Sequence, residues 1–269
     1  MSARRMFFAA LSAAVLLAGV FEASAQLRNR RWARYEYEMQ DPVEDPPDAW
    51  KETEFVFARL RYRAGRDGSF LGRWGIDANK SDRLFMQGLR RLTRIDTRSV
   101  EEVVDIDSDG IYNWPWLYAV SVGGWSLSPS QAERLRQYFA RGGFLMVDDF
   151  HGEFEWAAFM RGLNQVYPSF RIVEIEDGDP IFHTVYDIDE RFQIPGQWAL
   201  RKGATYREDG SIPRWRAIYD DRGRAMVAMF FNSDAGDAWE WADSRSYPEK
   251  YSSLAFRLGV NYTIYAMTH

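Results

Sequence analysis

Apolar and polar residues follow strand-like and helix-like patterns in turn along this chain. Residues 54–62 (EFVFARLRY) are rich in strand-forming side chains and predict a first strand. A helix with Ser81 as its N-cap is predicted next, because four apolar residues share one stripe: Leu84, Phe85, Leu89 and Leu92. Residues 99–106 predict a second strand, and residues 116–122 (WLYAVSV) predict a buried third strand.

The sharpest helix boundary precedes the segment PSQAERLRQYFA. Ser128 is placed as an N-cap, Pro129 as the first helical residue and Gln131 as the partner that completes a capping box. Gly142 supplies the left-handed position that ends the helix. The apolar residues 144–147 (FLMV) then predict a buried strand that ends at an Asp-Asp-Phe-His turn.

The second half of the chain continues the alternation. Residues 153–165 predict a helix, residues 170–175 a strand and residues 252–267 a closing helix. Two apolar runs flank the Asp-Asp-Arg-Gly segment at 220–223, which is typical of a hairpin. Strands that alternate with helices predict an α/β domain with a mostly parallel central sheet, here with a C-terminal β-hairpin.

The first 25 residues have the pattern of a bacterial signal peptide. Arg4 and Arg5 precede an apolar stretch at 6–20 that is short for a bilayer span, and Ala-Ser-Ala at 23–25 fits a cleavage site. We therefore expect cleavage after Ala25, a periplasmic or secreted location, and no transmembrane segment in the mature protein. An uncleaved membrane anchor is the alternative.

Composition predicts a globular domain without disulfides. Residues 26–53 are basic and then acidic and proline-rich, so we expect an extended leader before one α/β domain at residues 54–269. The chain has no cysteine and 46% hydrophobic residues, so its stability must come from a large core. A net charge of −5 gives nucleic-acid binding no electrostatic support. Because Walker A and G-x-G-x-x-G motifs are missing, we expect no nucleotide cofactor, and we predict no cofactor of any kind.

The chain resembles a bacterial family in the segments FVFARLRY, YAVSVGGWSLSPSQAERLRQYFARGGFLMVDDF, GDPIFHTVYDI, RAMVAMFFNSDAGDAWEW and LAFRLGVNYTIYAMTH. That family is domain of unknown function 4159, and the resemblance covers residues 51–269. The family is a distant relative of the class I glutamine amidotransferase-like fold, including the trehalose-utilisation-protein branch. The resemblance implies a three-layer α/β sandwich of the flavodoxin-like or amidotransferase-like kind.

The same resemblance implies a scaffold whose original catalytic groups have been replaced. Gly123 and Gly124 match the pair that offers backbone amides as an oxyanion hole in amidotransferase-like folds. The turn that carries the nucleophilic cysteine in those folds is here Asp148-Asp149. Because the chain has no cysteine, cysteine amidotransferase chemistry is excluded.

Asp148, Asp149, His151 and Glu153 form the densest group of candidate metal ligands, and Asp234 could join them across the end of the sheet. Carboxylates and imidazole there can bind Zn²⁺ or Mn²⁺ and leave a position for water. In the structural alternative, one aspartate caps a helix, the other pairs with an arginine and the histidine lies in solvent. The chain has only three histidines and no H-E-x-x-H motif. Both facts favour the structural alternative, so we predict no metal site. Convergence of these candidate ligands in the structure would instead favour a metal site.

Three further features are candidates for a site. His183 could act as a catalytic base, although a lone histidine in PIFHTV is more often structural. Gly123 and Gly124 could bind an anion beside a helix N-terminus, or form a tight turn, or both. Trp239, in a segment predicted as a loop before the closing helix, could stack on a sugar whose hydroxyls bond Asp234, whereas the alternative packs this tryptophan on the sheet.

For function, the leading hypothesis is a non-catalytic or degenerate amidotransferase-like domain that binds a ligand or partner at the carboxyl ends of the strands. The alternative is a metal- or carboxylate-dependent hydrolase that acts on a glycan, peptide or amide of the cell envelope. A third hypothesis is a scaffold in an envelope complex, which a large exposed apolar patch would favour. Whether the protein is an enzyme stays open at this point.

Overall fold

The computed structural model describes residues 35, 38–40, 42–64 and 73–269. The chain divides into two units, Met1–Glu38 and Met39–His269, and the fold described below is that of the second unit. The predicted signal peptide and the first part of the predicted leader lie outside the described residues. Both therefore stay predictions.

A seven-stranded sheet forms the centre of the domain. Its strands are β1 (Ala58–Arg61), β2 (Glu102–Asp105), β3 (Trp116–Val120), β4 (Phe144–Phe150), β5 (Ile172–Glu174), β6 (Arg214–Tyr219) and β7 (Ala225–Phe231). Across the sheet they are ordered β2-β1-β3-β4-β7-β6-β5. Strands β1 to β4 and β7 are parallel, whereas β6 is antiparallel to both of its neighbours. The mostly parallel sheet and the β6–β7 hairpin are thus confirmed.

Helices cover both faces of the sheet. In the described part of the chain they are α1 (Lys80–Leu92), α2 (Pro129–Ala140), α3 (Gly152–Val166), α4 (Gln197–Arg201), α5 (Ala235–Glu240) and α6 (Glu249–Thr268). Helices α1, α5 and α6 pack together on one face, and α2 and α3 pack together on the other. The domain is therefore a three-layer α/β sandwich, as predicted. No helix within the described residues is both long enough and apolar enough to cross a membrane.

Alternate residues of the central strands supply the core beneath α1, α5 and α6. Trp116 and Tyr118 of β3 point into this layer and are fully buried. Their neighbours there are also aromatic, since the ring centroids of Phe57 and Trp116 lie 4.9 Å apart and those of Phe85 and Trp239 lie 4.5 Å apart. Much of the tryptophan in the chain therefore fills core rather than surface.

The predicted boundary of α2 is confirmed, and that of α1 is corrected. Ser128 Oγ accepts a hydrogen bond from the Gln131 backbone N–H at 3.3 Å, and Gln131 Oε1 accepts from the Ser128 N–H at 2.9 Å. Gly142 has the expected left-handed conformation, with φ of 94°. In contrast, α1 begins after Asn79, and Ser81 lies inside its first turn. The Ser81 hydroxyl is buried beside an ion pair. Its position is therefore set by tertiary contacts, and it does not cap the helix.

That ion pair joins Arg59 of β1 to Asp82 of α1, and both side chains are completely buried. Arg59 Nε donates to Asp82 Oδ2 at 2.7 Å, and Arg59 Nη1 donates to the carbonyls of Trp74 and Ile76 at 2.9 and 3.0 Å. The guanidinium group of Arg59 thus forms its hydrogen bonds with the start of α1 and with the turn before it. This single side chain fixes the segment that leads into α1 against the sheet.

Glu101, which precedes β2, is a buried acid with an incomplete set of partners. Arg83 Nε donates to Glu101 Oε2 at 3.0 Å, while Oε1 finds no hydrogen-bond partner among the described residues. Burial raises the pKa of Glu101 to about 7, the charge of Asp82 adds to the rise, and Arg83 opposes it.

We expect the variant Glu101→Gln to flatten part of the pH dependence of stability. Folding raises the pKa of Glu101 from its ordinary value of 4.5, so the folded state holds an extra proton between the two values. The stabilisation is fully present below the lower value and is lost as the pH rises through about 7. Urea unfolding at several pH values should show wild type losing up to about 3 kcal/mol relative to the variant over this window. Parallel pH profiles for the two proteins would contradict this assignment.

Candidate functional site

Three neighbouring parallel strands end in residues with left-handed backbone. Ser121 follows β3, Asp149 lies near the end of β4 and Asn232 follows β7, with φ of 54°, 49° and 63°. The other two non-glycine residues with positive φ among the described residues are Asp77 and Glu208. Such conformations cost of order 1–3 kcal/mol each and cluster at functional sites. Because ligands of open α/β sheets bind beyond the carboxyl ends of the strands, this edge is the candidate site.

The strand β4 is irregular at its two consecutive aspartates. The register of β4 against β7 shifts between Val147 and Phe150. Asp149 takes up the shift with its left-handed backbone. Regular strand geometry would send the two side chains to opposite faces. Because helices cover both faces of the sheet, Asp148 is fully buried and Asp149 is only 3% exposed.

Asp148 has a structural role, because three donors satisfy its carboxylate. Tyr118 Oη donates to Oδ2 at 2.8 Å, the Ala235 N–H donates to Oδ1 at 3.0 Å and the Gly236 N–H donates to Oδ2 at 2.8 Å. Burial raises the pKa of Asp148 to about 6, the donors hold it down and the charge of Asp149 raises it further. Asp148 therefore anchors the first turn of α5 to the sheet, and it is not among the converging groups.

Asp149, His151 and Asp234 converge. Each contributes one ligand atom, and these three atoms lie within 4.8 Å of one another. His151 Nε2 is 3.0 Å from Asp149 Oδ1, while His151 Nδ1 is buried without a hydrogen-bond partner among the described residues. All three side chains are at most 3% exposed. The prediction that His151 would lie in solvent in the structural alternative therefore fails.

Arg207 closes one side of this group from the loop that precedes β6. Its Nη1 donates to Asp149 Oδ1 at 2.9 Å, and its side chain is 35% exposed. Burial lowers the pKa of Arg207, but the charges of Asp149 and Asp234 outweigh it, so the net pKa is raised. One arginine thus faces several buried acids.

Asp234 is the N-cap of α5 as well as a member of the group. Its Oδ1 accepts a hydrogen bond from the Asp237 N–H at 2.8 Å. Burial raises the pKa of Asp234 well above its ordinary value, and the charges of Asp237 and Asp149 raise it further. The raised pKa shows that the surrounding positive charge does not compensate for burial.

A second group of acids adjoins the first. One carboxylate oxygen from each of Asp77, Asp237 and Glu240 lies within 4.8 Å of the other two. Burial raises the pKa of Asp77 well above its ordinary value, with the charge of Asp237 as the next cause. Burial likewise raises the pKa of Glu240 to about 7, and the neighbouring Asp237 adds to the rise.

Two other predicted candidates lie outside this convergence. Glu153 has an exposed side chain, and only its backbone N–H takes part, donating to Asp209 Oδ1 at 3.2 Å. His183 lies partly exposed near the start of the loop after β5, where its Nδ1 is 3.0 Å from Asp187 and its Nε2 is 2.7 Å from the Asp177 carbonyl. Those hydrogen bonds, the one to Asp177 first, raise the pKa of His183. His183 is thus a surface hydrogen-bonding residue.

The predicted ligand-binding glycines are covered by side chains. A Cβ at Gly123 would lie 2.4 Å from Glu155, and a Cβ at Gly124 would lie 2.8 Å from Arg73. The pair forms a 3₁₀ turn between β3 and α2, so the tight-turn interpretation describes it. Close approach of Glu155, which also accepts from the His151 N–H at 2.8 Å, requires glycine at position 123.

Trp239, predicted to bind a ligand, has no exposed surface. It packs among Phe57, Phe85 and Tyr118 in the core beneath α5, with centroid distances of 6.1, 4.5 and 5.6 Å. The alternative, a tryptophan packed on the sheet, describes its position. Its segment was predicted as a loop, but it forms the helix α5.

Residues 56–267 match the family model described as a Domain of unknown function (DUF4159). The chain belongs to the DUF4159 family. The match spans the whole sheet and every side chain of both acidic groups. No curated protein matches the chain. The predicted family is therefore confirmed, while the amidotransferase-like kinship of the DUF4159 fold stays a prediction.

Two residues of this candidate site could not be recognised from any pattern in the sequence. Asp77 and Arg207 come from loops, and neither belongs to a periodic or motif-like segment. A recognisable pattern does exist for Asp234, Asp237 and Glu240, because a spacing of three residues places side chains on one face of a helix. A capping aspartate at 234 could have identified that helix in advance.

Proposed function

We propose that this protein is a divalent-cation-dependent hydrolase of the cell envelope, with Asp149, His151 and Asp234 as the ligands of the cation. The convergence of these three side chains, buried at the carboxyl edge of the sheet, carries the proposal. A set of two carboxylates and one imidazole suits Zn²⁺ or Mn²⁺ and leaves coordination positions for water and substrate. The leading sequence-based hypothesis, a binding domain without catalysis, thereby becomes the second candidate.

The charge balance of the site supports a cation. Asp149 and Asp234 are buried beside Asp237, and Arg207 is the one arginine or lysine bonded to any of them among the described residues. Buried carboxylates are costly unless they are paired or bind a metal. A divalent ion would supply the missing positive charge.

Hydrolysis at this site requires a proton acceptor that later acts as a donor. Water loses a proton as its oxygen forms a bond to the electrophilic carbon, and that proton ends on the leaving oxygen or nitrogen as its bond breaks. His151 would be held by the cation, so both transfers would fall to a neighbouring carboxylate outside the ligand set, such as Glu155, which accepts from the His151 N–H at 2.8 Å. A bound cation lowers the pKa of water and polarises the substrate. Arg207 would stabilise negative charge that develops on the substrate.

Exposed aromatic side chains beside the site support an extended substrate such as a glycan or peptide. Trp198 is 56% exposed, and the centroid of its ring lies 6.0 Å from the guanidinium carbon of Arg207. Tyr206, the residue before Arg207, is 46% exposed, and Phe154 in the first turn of α3 is 82% exposed. Flat apolar rings at a polar site suit sugar faces and peptide side chains. Location in the envelope rests on the predicted signal peptide.

The proposal is tested by titrating chelator-treated protein with Mn²⁺ or Zn²⁺ in a calorimeter. We expect the wild type to bind the ion, and the variants Asp149→Asn and His151→Gln to bind it about 100-fold more weakly, since even outer-sphere changes cost 10–100-fold. Glu153→Gln is the matched control, because this neighbouring acid is exposed. It should bind as wild type does.

Two outcomes would refute the proposal. One is a wild type that binds no divalent ion, and the other is a folded Asp149→Asn variant with unchanged affinity. If the ion binds, the loaded protein should then hydrolyse members of a panel of chromogenic glycosides, peptides and amides. Binding without turnover on any class would favour the second candidate.

The second candidate has its own supporting observation. Arg207 already forms an ion pair with Asp149, and Asp148 is satisfied by backbone and tyrosine donors. A ligand carboxylate could replace Asp149 as the partner of Arg207, or a ligand hydroxyl could donate to Asp149, in both cases without any reaction. This candidate predicts binding of a glycan or peptide that does not depend on a cation.

A further inference from the structure

Helix α5 carries three acids at successive three-residue steps. Asp234 caps the helix, and Asp237 and Glu240 follow on the same face. Asp234 belongs to the proposed cation site, whereas Asp237 and Glu240 meet Asp77 from the segment before α1. The hydrolase site uses only one of these three acids.

Two oxygens of the second group are buried and unsatisfied. Asp77 is 3% exposed and Glu240 is 4% exposed. Asp77 Oδ2 and Glu240 Oε2 have no hydrogen-bond partner among the described residues. Nearly all buried polar atoms in proteins are hydrogen-bonded, so each exception calls for an explanation such as an ion.

Among the described residues, no cationic side chain supplies that partner. Three positive groups of this part of the domain are engaged with other acids: Arg59 with Asp82, Lys80 with Asp243 at 3.1 Å, and Arg207 with Asp149. Within the described chain, no lysine or arginine forms an ion pair with any of the three acids of this group. Two donors reach Asp237, the Gln197 N–H at 2.7 Å and Trp241 Nε1 at 3.1 Å, and both are neutral.

We propose that Asp77, Asp237 and Glu240 bind a second divalent cation, next to the one held by Asp149, His151 and Asp234. An all-oxygen set of carboxylates suits Mn²⁺, Mg²⁺ or Ca²⁺, whereas the first set, with its imidazole, suits Mn²⁺ or Zn²⁺. Mn²⁺ is thus the ion that both sets accept. This inference rests on the proposed function and makes the centre a two-cation one.

The two sites are contiguous because they share the start of α5. The position that a Cβ of Gly196 would take lies 2.5 Å from Asp234 Oδ2 and 2.9 Å from Asp237 Oδ2. Asp234 Oδ2 from the first site and Asp237 Oδ2 from the second therefore both lie beside Gly196. Paired cations in hydrolases stabilise both the attacking and the leaving oxygen of a displacement, which extends the substrate class to phosphate esters.

The test counts Mn²⁺ ions per chain. Purified protein is equilibrated with Mn²⁺ by dialysis, and bound metal is measured by mass spectrometry after circular dichroism confirms folding. We expect two ions for wild type and one for Glu240→Gln and for Asp77→Asn. Glu249→Gln, an exposed acid at the start of α6, should keep both ions. Each test change removes only a charge and keeps the shape of the side chain.

The failures of the two proposals are distinguishable. One ion in wild type that is lost in Asp149→Asn but kept in Glu240→Gln and Asp77→Asn would overturn the second site alone. One ion that is lost in Asp77→Asn and kept in Asp149→Asn would overturn the proposed function alone. No bound ion would overturn both, and would leave Asp237 and Glu240 as acids that share a proton.

Discussion

Replacing Arg59 by methionine is expected to lower the free energy of unfolding by about 3 to 5 kcal/mol. The change leaves the carboxylate of Asp82 completely buried with no opposite charge, and the carbonyls of Trp74 and Ile76 lose their donor. Breaking a buried pair is costly because the remaining charge stays desolvated. Urea unfolding followed by tryptophan fluorescence measures the loss.

A double variant separates the charge from the packing. Arg59→Met combined with Asp82→Leu removes both charges, so we expect it to regain more than half of the stability lost in the single variant. Lys51→Met is the control, because its ion pair with Asp96 is largely exposed and should contribute less than about 1 kcal/mol. Equal losses for Arg59→Met and Lys51→Met would contradict the argument.

Asp148→Ala is expected to be destabilising by about 3 kcal/mol or more, although Asp148 is not one of the ligands of the proposed cation site. The variant leaves the Tyr118 hydroxyl and the amides of Ala235 and Gly236 buried without an acceptor. Each unsatisfied buried donor costs about 1–3 kcal/mol. Thermal and urea unfolding measure the change.

Comparison with the exposed Asp187, replaced by alanine, checks that the loss at Asp148 comes from burial. The Asp187 carboxylate meets His183 at the surface, and we expect no measurable change there. A stable Asp148→Ala variant would show that α5 does not depend on this anchor. In that case Asp148 would have to be reconsidered as a functional residue.

Much of the fold could be predicted because its elements follow local rules. The capping box at Ser128 and the glycine at 142 set the ends of α2, and the turn residues at 220–223 set the hairpin. Segments governed by tertiary contacts were less predictable. Ser81 was expected to cap α1 but lies within its first turn, beside the buried Arg59, and α5 was expected to be a loop.

The candidate site was predictable in location and only partly in membership. The strand end at Asp148-Asp149 indicated the correct edge of the sheet. Which aspartate faces the site depends on a register shift against β7, and the sequence of β4 contains no sign of that shift. Asp77 and Arg207 are brought there by long-range contacts with no sequence pattern.

The left-handed backbone at Ser121, Asp149 and Asn232 has a consequence for how this chain can change. Glycine adopts that conformation without the steric penalty that a side chain brings, so backbone strain alone would favour glycine at all three strand ends. The chain instead keeps a hydroxyl, a carboxylate and an amide there. Asn232 Oδ1 accepts from the Gly152 N–H at 2.9 Å and its Nδ2 donates to the Ile212 carbonyl at 2.7 Å, so at this strand end the side chain offsets the strain of the backbone. Glycine at 232 would relieve the backbone but remove both hydrogen bonds, and engineering for heat resistance should therefore leave this position untouched.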